Sequence, residues 1–170
     1  GYLNPAKTKL AVAITSTDLS GGHGGHGGTL TGLKVQIIDA VTGMIDKEIV
    51  LNKMPHNAIF NSSGTELWLG QSDSVQSQVL VYNTSDWTLK NTINVGAGLS
   101  EVTFSSDGSM AFACNTDDGT VSLIDANNKM IHATLTVGQD PVGAWTASNG
   151  KMYVDNETSQ TISEITVSSM

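Results

Sequence analysis

Short apolar runs recur along the chain, each about as long as one strand. Leu10-Ala-Val-Ala-Ile14, Val79-Leu-Val-Tyr82 and Ala111-Phe-Ala-Cys114 are continuous or nearly so, where a strand with one wet face would alternate strictly. Continuous apolar strands of this length are buried on both faces. Turn residues separate them. Over 55–98 the pattern predicts strands at about His56 to Phe60, Glu66 to Gly70, Gln78 to Tyr82 and Leu89 to Val95, with Ser63-Gly64, Asn83-Thr-Ser-Asp86 and Gly96-Ala-Gly98 as the turns. No helix is needed anywhere.

The same pattern repeats. Gly64 to Gly108 spans 44 residues, Gly108 to Gly150 spans 42 and Gly96 to Gly138 spans 42, while Val35, Val79 and Val121 begin equivalent strands. In the first copy Leu3 falls on Phe60 and Leu10 on Leu67, before a glycine-rich insertion interrupts the pattern and Val35-Gln-Ile-Ile-Asp39 resumes it. Repeats at about 1–54, 55–98, 99–140 and 141–170 result. A period near 40 with four strands per unit is the signature of a β-propeller blade. The expected fold is all-β: blades of four antiparallel strands in about four repeats, both end blades incomplete, amounting to a partial or half propeller. Within each unit, Gly64, Gly108 and Gly150 are expected to take positive φ in strand connections. Asp39, Asn83 and Asp125 are expected to cap backbone N–H groups in Asx-turns.

Ser106-Asp-Gly108, Cys114-Asn115, Gly119-Thr-Val-Ser-Leu-Ile-Asp125, Asn128-Lys129 and Val137-Gly-Gln-Asp-Pro141 together resemble the YVTN-type β-propeller repeat, a WD40-like unit of surface-layer and periplasmic proteins. The resemblance covers nearly the whole chain, departing from the pattern at the first-copy insertion and at Ile165-Thr166. It implies a propeller fold and a location in the periplasm, on the cell surface or in the secreted fraction. Closed rings have about 4 to 8 blades. Four incomplete units therefore call for completion by further polypeptide, by a second copy or by head-to-tail neighbours.

Composition narrows the classes. The 170 residues carry 8 Lys+Arg against 16 Asp+Glu, a net charge of -8, and every cation is lysine. Without arginine or a basic cluster, nucleic acid is not an expected partner. Nothing approaches 18 consecutive apolar residues, so membrane insertion is not expected either. The one cysteine, Cys114, forms no internal disulfide, and no CxxCH run offers covalent haem attachment.

Candidate chemistry is sparse. Leu19-Ser-Gly-Gly-His-Gly-Gly-His-Gly-Gly-Thr-Leu30 places two imidazoles, His23 and His26, on a permissive backbone, and such tracts suit Zn, Cu or Ni. Two ligands do not complete a site, so Asp18, His56, His132 or another chain would have to contribute. His56, following the blade-entry Pro55, falls near a central channel, whereas His132 falls in an outer strand. Gly22-His-Gly-Gly-His-Gly27 matches G-x-G-x-x-G in form, but a strand follows it where a dinucleotide site needs a helix. No nucleophile elbow, zinc-protease or phosphate-loop motif is present. Thr116-Asp-Asp-Gly119 reads as a solvated hairpin tip. Trp68 reads as core between blades, Trp87 as a turn residue and Trp145 as an inner-strand residue. The expectation is a non-catalytic extracytoplasmic module for protein–protein interaction and assembly, with no cofactor, whose partner is another protein or a second copy. The competing expectation is a metal- or haem-associated redox accessory propeller using His23, His26 and His56.

Overall fold

The computed structural model describes residues 1–16 and 31–167. Among them are 15 strands, all paired antiparallel in four sheets, and no helix. The first sheet holds β1 (Tyr2–Leu3), β2 (Lys9–Ser16), β3 (Thr31–Asp39) and β4 (Ile45–Val50). The second holds β5 (Met54–Phe60), β6 (Glu66–Ser72), β7 (Gln78–Asn83) and β8 (Leu89–Asn94). The third holds β9 (Leu99–Phe104), β10 (Met110–Asn115), β11 (Thr120–Asp125) and β12 (Ile131–Thr136), and the fourth β13 (Pro141–Thr146), β14 (Lys151–Asn156) and β15 (Thr161–Thr166). Every sheet is a simple meander in chain order. Both end blades were expected to be incomplete; the first sheet instead has all four strands, because Tyr2–Leu3 pairs with β2 as a two-residue inner strand, and among the described residues only the fourth sheet has three. Leu3 pairs with Leu10 as Phe60 pairs with Leu67, so the first copy keeps the repeat register despite its insertion.

Successive sheets pack face to face, β2 on β5, β5 on β9 and β9 on β13. Side chains alternate across a strand, so one strand feeds two different cores. Leu67 and Leu69 of β6 meet Ala11, Val35 and Ile37 of the first sheet, while Trp68 between them faces Leu99, Val102 and Phe104 of the third. Ala111 and Ala113 of β10 join that second core, and Met110, Phe112 and Cys114 turn to Ala144, Met152 and Val154 of the fourth sheet. β6 and β10 are accordingly buried along nearly their whole length, whereas β4 and β12 are mostly exposed. The arrangement is consistent with an arc of propeller blades; the described residues do not close a ring.

Turn chemistry follows the repeat. Gly64, Gly108 and Gly150 have φ of 72°, 72° and 76°, the left-handed region that glycine enters without steric cost. Asp39 accepts from Val41 and Thr42, Asn83 from Ser85, and Asp125 from Asn127 and Asn128. Four residues beyond each of these lies a second left-handed position, filled by Gly43, Trp87 and Lys129 in turn. Asn115 and Asn156 tie neighbouring sheets. Their carbonyls accept from Gly96 N and Gly138 N at 3.1 Å, on the linker that leaves the preceding sheet, and their amides donate to Ser122 and Ser163.

Between the second and third sheets, Lys129 Nζ sits 5.3 Å from the Trp68 ring and 2.9 Å from Glu66, and Trp68 packs edge-on to Phe104. Burial alone would raise the Glu66 pKa, but hydrogen bonds from Lys90, Lys129 and Trp68 outweigh it and hold the carboxyl below its ordinary range. The folded pKa is therefore below the unfolded value of about 4.3. Stability from this group is present above that value and is lost as pH falls through the folded pKa. Urea titrations should show Glu66→Gln less stable than the parent at neutral pH, with a shallower loss between about pH 5 and pH 3. Equal slopes for the two proteins would contradict the assignment.

Candidate functional site

The inner strands of all four sheets converge on one concave cavity of about 390 Å³, lined by Tyr2, His56, Asn57, Ser100, Glu101, Val142, Gly143, Trp145, Asp155 and Glu157 among others. Bulges build this lining. The register of β5 shifts between Pro55 and Ala58, that of β9 opposite Cys114 and Asn115, and that of β13 between Pro141 and Gly143. Residues set out of the ladder by these bulges include His56, Ser100 and Val142, which occupy equivalent places in three repeats. A bulge re-aims side chains in this way at the cost of one ladder pairing.

The next residue in two of those repeats is polar and bridges to the following sheet. Asn57 Nδ2 donates to Val102 O at 2.7 Å, and Val102 N donates to Asn57 Oδ1 at 3.0 Å, so a buried carboxamide closes a ring across two sheets. Truncating it would orphan both backbone groups, a cost of about 1–3 kcal/mol for each buried group left unpaired. At the equivalent Glu101, Oε2 accepts from Ala144 N at 3.3 Å and Oε1 accepts from Tyr2 OH at 2.5 Å. Gly143 N donates to Asp155 Oδ1 at 2.7 Å. The first, third and fourth sheets are thus joined at Glu101.

Charge in this hub is one-sided. Glu101, Asp155 and Glu157 line it together with Gly1 and His56, and among the described residues no lysine does. Burial, reinforced by Glu101, pushes the Tyr2 phenol up to about 12. Burial also pushes the Cys114 thiol up to about 12, with Glu101 and Asp155 adding to the rise. His56 is accessible to solvent within the concavity, yet the surrounding protein removes enough water to hold its pKa below the ordinary value.

Of the histidines expected to bind metal, His23 and His26 lie outside the described residues, as does Asp18, and His56 lies in the hub. Among the described residues no three His, Cys, Asp or Glu side chains are grouped to hold a metal ion. His132 is exposed on β12. Asp118 accepts from Ala97 N at 2.8 Å, so the Thr116–Gly119 hairpin has a structural partner. Trp68 is fully buried, Trp87 packs beside the core of the first two sheets, and Trp145 is 56% exposed in the hub. The three indoles do not converge. Sequence reasoning missed Tyr2, Asn57, Glu101 and Gly143. A polar residue two places after Pro55, matched by Glu101 two places after Leu99, is the one signal that was available.

No family model matches the chain, and no curated relative does. Among solved structures, 693 chains match. The chain is similar to a chain of the Kuenenia stuttgartiensis hydrazine synthase structure, with a TM-score of 0.67 and 17% identity over 99% of this chain and 49% of that one. It spans about half the length of that neighbour, and at this identity the likeness shows the fold.

With its thiolate disfavoured and its side chain fully buried, Cys114 should resist an aromatic disulfide reagent at pH 8 in the folded protein and react at once in urea. Reaction at the rate of a free thiol under native conditions would contradict its place between the third and fourth sheets.

Proposed function

We propose that the chain is an arc of a YVTN-type β-propeller that serves as a non-catalytic binding and assembly module outside the cytoplasm, completed by further polypeptide, by a partner protein or by a second copy. One observation carries this reading. Among the described residues the fourth sheet has three strands where each of the others has four, and the outer edge of β15 is unpaired. In the second sheet that outer strand supplies Ile93, with Val95 just beyond it, to the core shared with the third. Beside β15 lies a groove of about 570 Å³ lined by Leu135, Thr136, Val137 and residues 163–166, with Ile162 of the same strand 71% exposed.

An edge strand presents unpaired N–H and C=O groups, and proteins cover or blunt such edges. β15 has no proline or lysine to blunt it. The YVTN resemblance supports the location, because proteins with this repeat are found in the periplasm and at cell surfaces. The hub supports binding over catalysis: Glu101 and Asp155 are engaged by Tyr2 and by backbone amides, as expected of groups that hold sheets together.

Native mass spectrometry at micromolar concentration should find the protein in discrete complexes, as multiples of 17.8 kDa or with a partner co-purified in fixed ratio. A monodisperse monomer that stays soluble under the same conditions would overturn the assembly reading.

A further inference from the structure

Three contacts between successive sheets obey one rule. Val35, Val79 and Val121 hold the same place in the third strands of the first three sheets, and all are fully buried. Each shares a core with two fully buried residues on the second strand of the following sheet: Val35 with Leu67 and Leu69, Val79 with Ala111 and Ala113, Val121 with Met152 and Val154. Two faces have no such neighbour among the described residues. In the fourth sheet Thr161 pairs with Asn156 as Thr120 pairs with Asn115, which puts Ile162 at the Val121 position, exposed. In the first sheet Leu3 pairs with Leu10 as Phe60 pairs with Leu67, which puts Leu10 and Val12 at the Leu67 and Leu69 positions, only half-buried.

The residues on these faces say what kind of neighbour covers them. Where the third sheet turns Phe112, Cys114 and Leu123 to the fourth, the fourth sheet has Tyr153, Asp155 and Glu164 on its open face, with Trp145 paired beside Tyr153. Lys151 and Tyr153 donate to Glu164 at 2.6 and 3.1 Å. The open face of the first sheet is built alike: Lys34 and Gln36 donate to Glu48 at 2.6 and 2.5 Å, beside Leu10 and Val12. A sheet permanently covered by its own chain has no use for these polar groups, as the first three contacts show. Aromatic and apolar residues around charges already paired within the face suit a surface that stands in water before its partner arrives.

We infer that the open face of the fourth sheet docks on the open face of the first sheet of a second copy, with Ile162 of one chain against Leu10 and Val12 of the other. One chain carries one face of each kind, so two copies related by a two-fold axis satisfy both faces twice. Eight sheets result, within the range of closed propeller rings of about 4 to 8 blades. This deepens the assembly reading and rests on it.

Sedimentation of the full chain should give a dimer of twice 17.8 kDa. Ile162→Lys would place an ammonium in a dry contact and should weaken the dimer by about 10-fold or more. Val75→Lys, on an exposed turn of the second sheet away from both faces, should leave it unchanged. Cross-linking identifies the surfaces: an equal mixture of Val12→Cys and Ile162→Cys chains, treated with a short bismaleimide, should join position 12 of one chain to position 162 of the other. Neither variant should link to itself, and buried Cys114 does not compete. Complexes that Ile162→Lys leaves intact, a variant that links to itself, or a different protein held in fixed ratio would each overturn this inference and leave the assembly reading standing. A ladder of higher multiples would overturn the closed pair, and a monomeric parent would remove the inference and the assembly reading together.

Discussion

Everything in this structure follows from strands that are apolar on both faces. A sheet whose second and third strands bury both sides has no wet face to offer, so it must be covered by another sheet on each side. Trp68, flanked by Leu67 and Leu69, states the constraint in three residues: the tryptophan needs the third sheet and the leucines need the first. β10 repeats it, with Ala111 and Ala113 turned one way and Phe112 and Cys114 the other. Stacking of this kind has no internal stopping point, and the terminal sheets carry the unresolved part of the constraint.

The polar groups that join the sheets are few and are placed where the apolar cores end. Asn115 and Asn156 hold the linkers between consecutive sheets, giving physical content to the asparagine of the repeat. Asn57 and Glu101 make the same kind of bridge at the hub, one with a neutral carboxamide and one with a carboxylate. That difference gives the cavity its character. A carboxamide at 101 would hold the fourth sheet as Asn57 holds the third, but it would leave the hub with one carboxylate fewer.

Much of the architecture was legible because a strand's period and a turn's glycine are local. Gly64, Gly108 and Gly150 took the positive φ expected of them, Asp39, Asn83 and Asp125 capped their turns, and the strands of the second repeat lie within two residues of their expected bounds. What could not be read is what joins residues far apart. Tyr2 meets Glu101 across 99 positions, and no pattern within a repeat encodes that contact. Trp145 could be placed in an inner strand, but its packing over Gly143 beside a carboxylate from another sheet could not. The paired histidines His23 and His26 stood out in the sequence for their chemistry and lie outside the described residues, while His56 gathers at the centre with tyrosine, tryptophan and acids.

The central claim is that the outer edge of β15 is covered in the working protein, by further polypeptide, a partner or a second copy. Amide hydrogen exchange on the assembled protein tests it most directly, at the β15 amides that point away from β14. Protection there comparable to that of β11, which is paired on both sides, is the result this account predicts. Exchange of those amides at the rate of unstructured chain, while β11 stays protected, would contradict it.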